Sequence, residues 1–166
     1  DNENGAQLAI TEINAKGDLV IGGKKVKLAL IGEDDGADPK QGTTVAQKLV
    51  DAKVAAVVGH ATSGVSIPAN AVYSAAGLVQ VSPSSTDPTY TLKSNKTPKG
   101  SVSSYRVVAT DAQQGPAMAK YMLNKGVKTI AIIDDSTQYG KGLADQVEQS
   151  MKAAGTTVVA REATTD

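Results

Sequence analysis

The stretch VVGHATSGVSIPAN, residues 57–70, sets Gly59 and Gly64 five positions apart with Ser66 close behind. It comes near the G-x-x-x-x-G-K-[ST] of a phosphate-binding loop, where lysine reaches the β- and γ-phosphates. Val65 stands at the lysine position and removes that charge. Ser63, Gly64 and Ser66 still place hydroxyls and free amides at an expected helix start, where a partial positive charge favours a small anion. A carboxylate needs less compensation there than a triphosphate. On the residues alone a second reading stays open, in which Ser63 or Ser66 only caps the helix.

SPSSTDPTYT, residues 82–91, offers Ser84, Ser85 and Thr86 before the Asp87-Pro88 pair. It reads either as a set of neutral donors and acceptors beside Ser63 or as a polar turn capped by Asp87. His60 is the only histidine. It lacks a Cys or His companion for zinc, no motif orders a triad around it, and a structural or rim role is the expectation. Glu33-Asp34-Asp35 and Asp134-Asp135 lack the ordered ligand spacing of a calcium loop and read as solvated turns and helix caps. Tyr139, in DDSTQYGKG, is a packed anchor or a wall facing a ligand.

Alternating strands and helices must position these loops. Ala6, Ala9, Ile10 and Ile13 repeat at helical spacing before Gly17. A turn at IGGKK follows, then a strand through Val26, Leu28 and Leu30. Asp38 before Pro39 starts a helix running through Val45, Ala46, Leu49 and Ala52. VAAVVG, 54–59, reads as a strand buried on both faces. A helix with Pro68 and a strand at 78–82 come next; 83–104 breaks into an exposed loop, and 104–110 restores strand character. The helix opened by Asp111 carries Pro116, which predicts a later start or a kink. TIAIIDD, 129–135, reads as a buried strand, Leu143, Val147, Met151 and Ala154 as a helix, and TVVARE as a last strand.

This alternation, repeating about every 25 residues, predicts an α/β fold with a parallel sheet and helices on both faces. Ligands of such sheets bind beyond the carboxyl ends of the strands, which singles out loops 32–38, 59–66, 82–88, 110–115 and 134–141.

Composition narrows the function. The 166 residues carry 17 basic and 17 acidic side chains, giving no electrostatic footprint for nucleic acid or a membrane surface. Five tyrosines with no Phe or Trp leave little for base stacking. There is no cysteine for disulfides or thiolate metal sites, and no apolar run nears the roughly 20 residues of a membrane span. The start at Asp1, directly in a helical pattern, and the end soon after an apolar run predict a piece of a mature protein.

Six segments in order, NGAQLAITEINAKG, DDGADPKQGTTVAQKLV, VVGHATSGVSIPAN, VSPSSTDPTYT, RVVATDAQQGPAMAKY and AIIDDSTQYGKGLAD, resemble the branched-chain amino-acid (leucine/isoleucine/valine) binding proteins of bacterial ABC transporters. That family has the type I periplasmic-binding-protein fold, two Rossmann-like lobes closing over a free amino acid. The resemblance implies that residues 1–108 form most of the first lobe and 109–166 the start of the second, after a crossing near Ala109 to Asp111. By resemblance Ser63, with Gly64 beside it, holds the ligand carboxylate. Ser84 gives a carbonyl to the ammonium, Thr86 contacts both groups next to Ser85, and Tyr139 closes over the ligand.

The resemblance further implies no enzymatic activity, no cofactor, a membrane permease as partner and a periplasmic location with the signal peptide removed. It places the first strand, with an aromatic pocket residue after it, before Asp1, and an acidic partner for the ammonium beyond Asp166. Ala37 and Thr62 stand where some members have a disulfide, and loop 93–104 looks longer than usual. The chain alone is therefore expected to bind ligand poorly, or to pair or swap strands with another chain to repair its sheet. Two other classes compete: a sensory or regulatory ligand-binding domain on the same fold, and a nucleotide-using α/β enzyme. Val65 and the lack of a G-x-G-x-x-G fingerprint argue against the enzyme.

Overall fold

The structure is a computed structural model and describes residues 2–92 and 95–165. Among these, helix α1 (Asn2–Lys16) leads into a hairpin, β1 (Val20–Ile21) and β2 (Lys24–Lys25). Gly22 and Gly23 turn it with φ of 57° and 78°, the left-handed pair that a two-residue hairpin turn requires. Then come α2 (Pro39–Asp51), β3 (Val57–Val58), α3 (Ser63–Ala75), β4 (Gln80–Ser82), α4 (Thr89–Leu92) and β5 (Ser104–Arg106). The chain ends with α5 (Asp111–Asn124), β6 (Thr129–Asp134), α6 (Gln138–Ala153) and β7 (Thr157–Ala163).

Strands β3, β4 and β5 form one parallel sheet in that order, and β6 pairs in parallel with β7. This is the expected α/β class of parallel strands joined by helices. One core lies between α2, α3 and β3, built from Val45, Ala46, Leu49, Val57, Ala69, Tyr73 and Leu78. A second joins Ala119, Val147 and Met151, with Ile130 and Ile132 packed against it. Gly42 of α2 lies flush against the Val65 side chain of α3, so the two helices touch through a residue without a Cβ.

Helix starts follow the sequence closely. Asp38 caps α2 by accepting from the Gln41 amide at 2.7 Å, with Pro39 in the first turn. Thr137 caps α6 by accepting from the Gly140 amide at 2.9 Å. Helix α5 begins at Asp111 rather than later, because Gln113 reaches back to accept from the Thr110 amide at 3.0 Å and fixes its first turn. Pro116 sits inside that helix.

Strand expectations hold less well. Residues 26–30 are not a strand. Val26, Leu28 and Leu30 keep the alternating half-burial, but instead of a ladder the Leu28 amide and carbonyl both bond the Asn14 side chain, at 2.8 Å each. The run 54–59 shortens to Val57–Val58 and is buried on one face only, Val58 remaining 62% exposed. Likewise β6 alternates rather than being buried throughout, with Ile133 70% exposed. Helices cover one face of each of these strands among the described residues, and the other stays open. The strand expected over 104–110 ends at Arg106.

The stretch 83–104 is more ordered than an exposed loop. It holds α4 with Tyr90 buried, an isolated antiparallel bridge from Lys96 to Val102, and the buried Ser103 and Ser104; Lys93 and Ser94 lie outside the described residues. The acidic runs are not simply solvated either. Asp35 pairs with His60, and Asp134 is buried where it pairs with Arg161 at 2.8 Å.

Candidate functional site

The carboxyl ends of β3 and β4 lead into the loops 59–63 and 83–88, and hydroxyl groups fasten the two together. Ser84 Oγ donates to the Ala61 carbonyl at 2.7 Å. Ser85 Oγ lies 2.5 Å from Ser66 Oγ. The Asp87 amide donates to Ser63 Oγ at 3.2 Å. Ser63, Gly64, Ser84, Ser85 and Thr86 are thus brought into one contiguous patch.

Their hydroxyls differ in what they have left to offer. Ser85 is wholly buried and spent on the fold, and Ser84 is exposed but engaged with Ala61. Ser63, 1% exposed, accepts from Asp87 and keeps its own O–H to donate. Thr86 Oγ1 is buried with no hydrogen-bond partner, while the Thr86 carbonyl accepts from the Asp111 amide at 3.0 Å.

The start of α3 is chemically distinctive. Its N-cap residue Thr62 makes no side-chain capping bond, and the first intrahelical bonds come from the Val65 and Ser66 amides to the Thr62 carbonyl, at 3.3 and 2.9 Å. The Ser63 and Gly64 amides precede those bonds and so have no intrahelical acceptor. Of α2, α3, α5 and α6, this is the start that no side chain closes.

Three further residues complete the patch. Arg106, at the end of β5, donates to the Ser85 and Asp87 carbonyls at 2.7 Å each and to Thr91 Oγ1 at 2.9 Å, and its guanidinium lies over the Tyr90 ring. Asp87, 4% exposed, accepts from Gln138 at 2.6 Å and from the Thr89 amide at 2.7 Å. Burial works to raise its pKa, but the bonds from Gln138 and Thr89 and the charge of Arg106 outweigh it and hold Asp87 below the ordinary carboxylate value. Asp111 has the opposite balance. Fully buried, with neither oxygen in a hydrogen bond, it is pushed up by burial and by the charge of Asp87; the nearby Thr86 hydroxyl and Arg106 ease the shift, though Thr86 falls short of hydrogen-bond geometry.

The first turn of α6 faces this patch. Gly64 lies beside Gln138, its absent Cβ 3.6 Å from the Gln138 Cβ. A Cβ on Gly142 would fall 3.3 Å from Asp111 Oδ2. Tyr139 follows Gln138 and is 39% exposed. It stands on the element that meets the loops. An apolar concavity of about 480 Å³ lies elsewhere, over β6 between Met118, Met122, Leu143 and Val147, and continues the second core rather than the polar patch.

His60 is buried, as expected for a structural residue, but it is more connected than its solitude in the sequence suggests. Its Nδ1 lies 2.6 Å from Asp35 Oδ2 and its Nε2 3.0 Å from the Tyr73 hydroxyl. The order carboxylate, imidazole, hydroxyl is that of a nucleophilic triad, yet Tyr73 is 0% exposed and its phenol is held well above its ordinary pKa by burial and by Asp35. A hydroxyl without access to substrate and firmly protonated is no nucleophile.

The loops 110–115 and 134–141 hold Asp111 and Gln138 but nothing local marks either residue, Arg106 lies outside the loops singled out, and Asp87 reads only as a cap. Asp87 does cap α4 through Thr89; its link to Gln138 spans 51 positions and leaves no local trace. A lone arginine at a strand end beside a polar loop was the available signal for Arg106.

The chain resembles known proteins along its whole length. The family model described as periplasmic binding protein matches residues 1–166. A Leu/Ile/Val-binding protein of Rhizobium johnstonii is 41% identical over 164 residues, covering 98% of this chain and 42% of that protein. Among solved structures, the branched-chain amino acid transporter substrate-binding protein LivJ of Streptococcus pneumoniae, in complex with isoleucine, superposes with a TM-score of 0.81 at 32% identity, over 99% of this chain and 44% of that one. An ABC transporter substrate-binding protein of Desulfitobacterium hafniense in complex with Leu gives 0.77 at 34%, over 99% and 47%. The chain therefore spans less than half the length of each of these relatives.

Proposed function

Because this chain belongs to the periplasmic binding protein family, we propose that it forms one part of a receptor that binds a free amino acid, branched-chain aliphatic by preference, for an ABC transporter. The observation that carries the reading is the open start of α3, with its Ser63 and Gly64 amides beside the Ser63 hydroxyl and the unpartnered Thr86 hydroxyl. Amides at a helix start and neutral hydroxyls suit a carboxylate that arrives with its own ammonium, and no fixed lysine is needed.

In this reading Ser63 and Gly64 hold the carboxylate, the Ser84 carbonyl takes the ammonium, and Thr86 contacts both. Ser85 ties its loop to Ser66, and Tyr139 closes over the ligand from α6. Residues 1–108 belong to one lobe and 109–166 to the other, meeting at the Asp87–Gln138 contact. The receptor is not an enzyme, uses no cofactor, works in the periplasm and delivers its ligand to a membrane permease.

The test is a thermal-shift screen of the full-length protein against the free amino acids, repeated with Ser63→Ala and Thr86→Ala. Leucine, isoleucine and valine are expected to raise the unfolding temperature of the parent. Each substitution weakens binding about 10- to 100-fold, the loss of a hydrogen bond to a charged group. Undiminished shifts in both variants would remove Ser63 and Thr86 from the site.

A further inference from the structure

The ligand donors lie on two loops, and one carbonyl joins those loops. Ser82 Oγ donates to the His60 carbonyl at 2.7 Å, and Ser66 Oγ and Ser85 Oγ, bonded to each other at 2.5 Å, lie 3.1 and 3.3 Å from the same oxygen and supply one further donor to it. Ser66 belongs to the first turn of α3 together with Ser63 and Gly64, Ser85 adjoins Thr86, and Ser82 ends β4. The flanking carbonyls repeat the pattern, Gly59 accepting from Gln80 at 3.1 Å and Ala61 from Ser84 at 2.7 Å. Three hydroxyls around one oxygen leave the position of that oxygen to set the spacing between the α3 amides and the Thr86 hydroxyl.

The imidazole ring of the same residue is fixed on its other side. Nδ1 meets Asp35 at 2.6 Å, and Nε2 meets Tyr73 at 3.0 Å with the two rings stacked 5.9 Å apart. A neutral ring satisfies both contacts: Nδ1–H donates to Asp35, and the Tyr73 hydroxyl donates to Nε2. Asp35 stands in the loop before α2 and Tyr73 near the end of α3, so the ring is gripped by segments on either side of the binding loops.

We propose that His60 is a positioning residue for the ligand: gripped by Asp35 and Tyr73, it fixes the carbonyl that registers the carboxylate-binding start of α3 against the Thr86 loop. The carboxylate role rests on the amino-acid reading above; the registration of the loops does not.

The experiment has a ligand-free arm and a ligand arm, both on the full-length protein. In the ligand-free arm, Asp35→Ala and Tyr73→Phe are compared with the parent by amide hydrogen exchange. Exchange is expected to speed up about tenfold at the bonded amides of Val65 and Ser66 and of Ser84 and Ser85 together, with 143–151 unchanged. Unchanged exchange in both loops overturns the proposal whatever the ligand is. In the ligand arm, His60→Ala is expected to weaken leucine about tenfold and leucinamide, which lacks the carboxylate, by less than about threefold. Equal losses for the two probes mean general loosening and overturn the carboxylate role. A parent that binds no amino acid sinks the functional reading, while the exchange arm still decides what His60 does.

Discussion

Gln138 Nε2 donates to Asp87 Oδ2 at 2.6 Å, joining the first turn of α6 to the loop after β4. Asp87 is also the residue whose amide donates to Ser63. One carboxylate residue thus touches both the proposed ligand site and the element that faces it. Replacing Gln138 with Ala deletes a bond to a charged group, and such bonds contribute about 1.5–3 kcal/mol. Leucine is expected to dissociate faster from Gln138→Ala with its association rate nearly unchanged, as stopped-flow displacement would record. An unaltered dissociation rate would mean that the contact does not hold the bound state.

The two buried carboxyls respond to pH with opposite sign. Asp87, its pKa depressed in the fold, contributes stability above the ordinary carboxylate range, and that contribution is lost as pH falls through its lowered value. Asp111, its pKa raised, binds its proton more tightly when folded, so its penalty is present at neutral pH and is relieved on acidification from neutrality toward the ordinary carboxylate value. Asp111→Asn is therefore expected to unfold at a higher temperature than the parent at pH 7, with the gap closing toward pH 4.5. Parallel melting curves across that range would contradict the assignment.

Gly42 allows α2 to lie against Val65, one residue beyond Gly64. A methyl group there must push the helices apart or displace the fully buried Val65. Gly42→Ala is expected to destabilise the protein by about 1–3 kcal/mol despite the better helix propensity of alanine. Denaturant unfolding measures this directly, and a stabilised variant would show that the crossing has room to spare.

Arg106 braces the 85–91 loop by donating to two of its carbonyls and to Thr91. Lysine keeps the charge but not the planar fork. Arg106→Lys is expected to weaken leucine binding about tenfold, because the backbone on either side of Thr86 is no longer held. Full retention of affinity would show that the Ser84 and Ser85 contacts suffice.

The parts of this fold that were legible in the sequence are those encoded within a few residues. Asp38 before Pro39 gave a capped helix, because capping is settled over one turn. Val26, Leu28 and Leu30 showed the alternation of a strand, yet a strand also needs a neighbour, and Asn14 supplies the bonds instead. The run at 129–135 was correctly read as a strand but not its exposure, since apolar content does not say which faces are covered. In the site, hydroxyls clustered after two adjacent strands pointed to two loops that the structure brings together. Sequence did not show that the Ser85 hydroxyl is consumed by Ser66 while the Thr86 hydroxyl has no partner, nor that His60 meets Asp35 from 25 positions away.

The unclosed start of α3 also bears on how long the proposed receptor lasts. A carboxylate seated on the Ser63 and Gly64 amides would act as the cap that Thr62 fails to provide. At a hundredfold excess over its dissociation constant, such a cargo stabilises the folded state by about 2.7 kcal/mol. An empty site would then be the one whose helix end frays and meets proteases first, so that on the proposed reading the supply of ligand sets the lifetime of the folded chain.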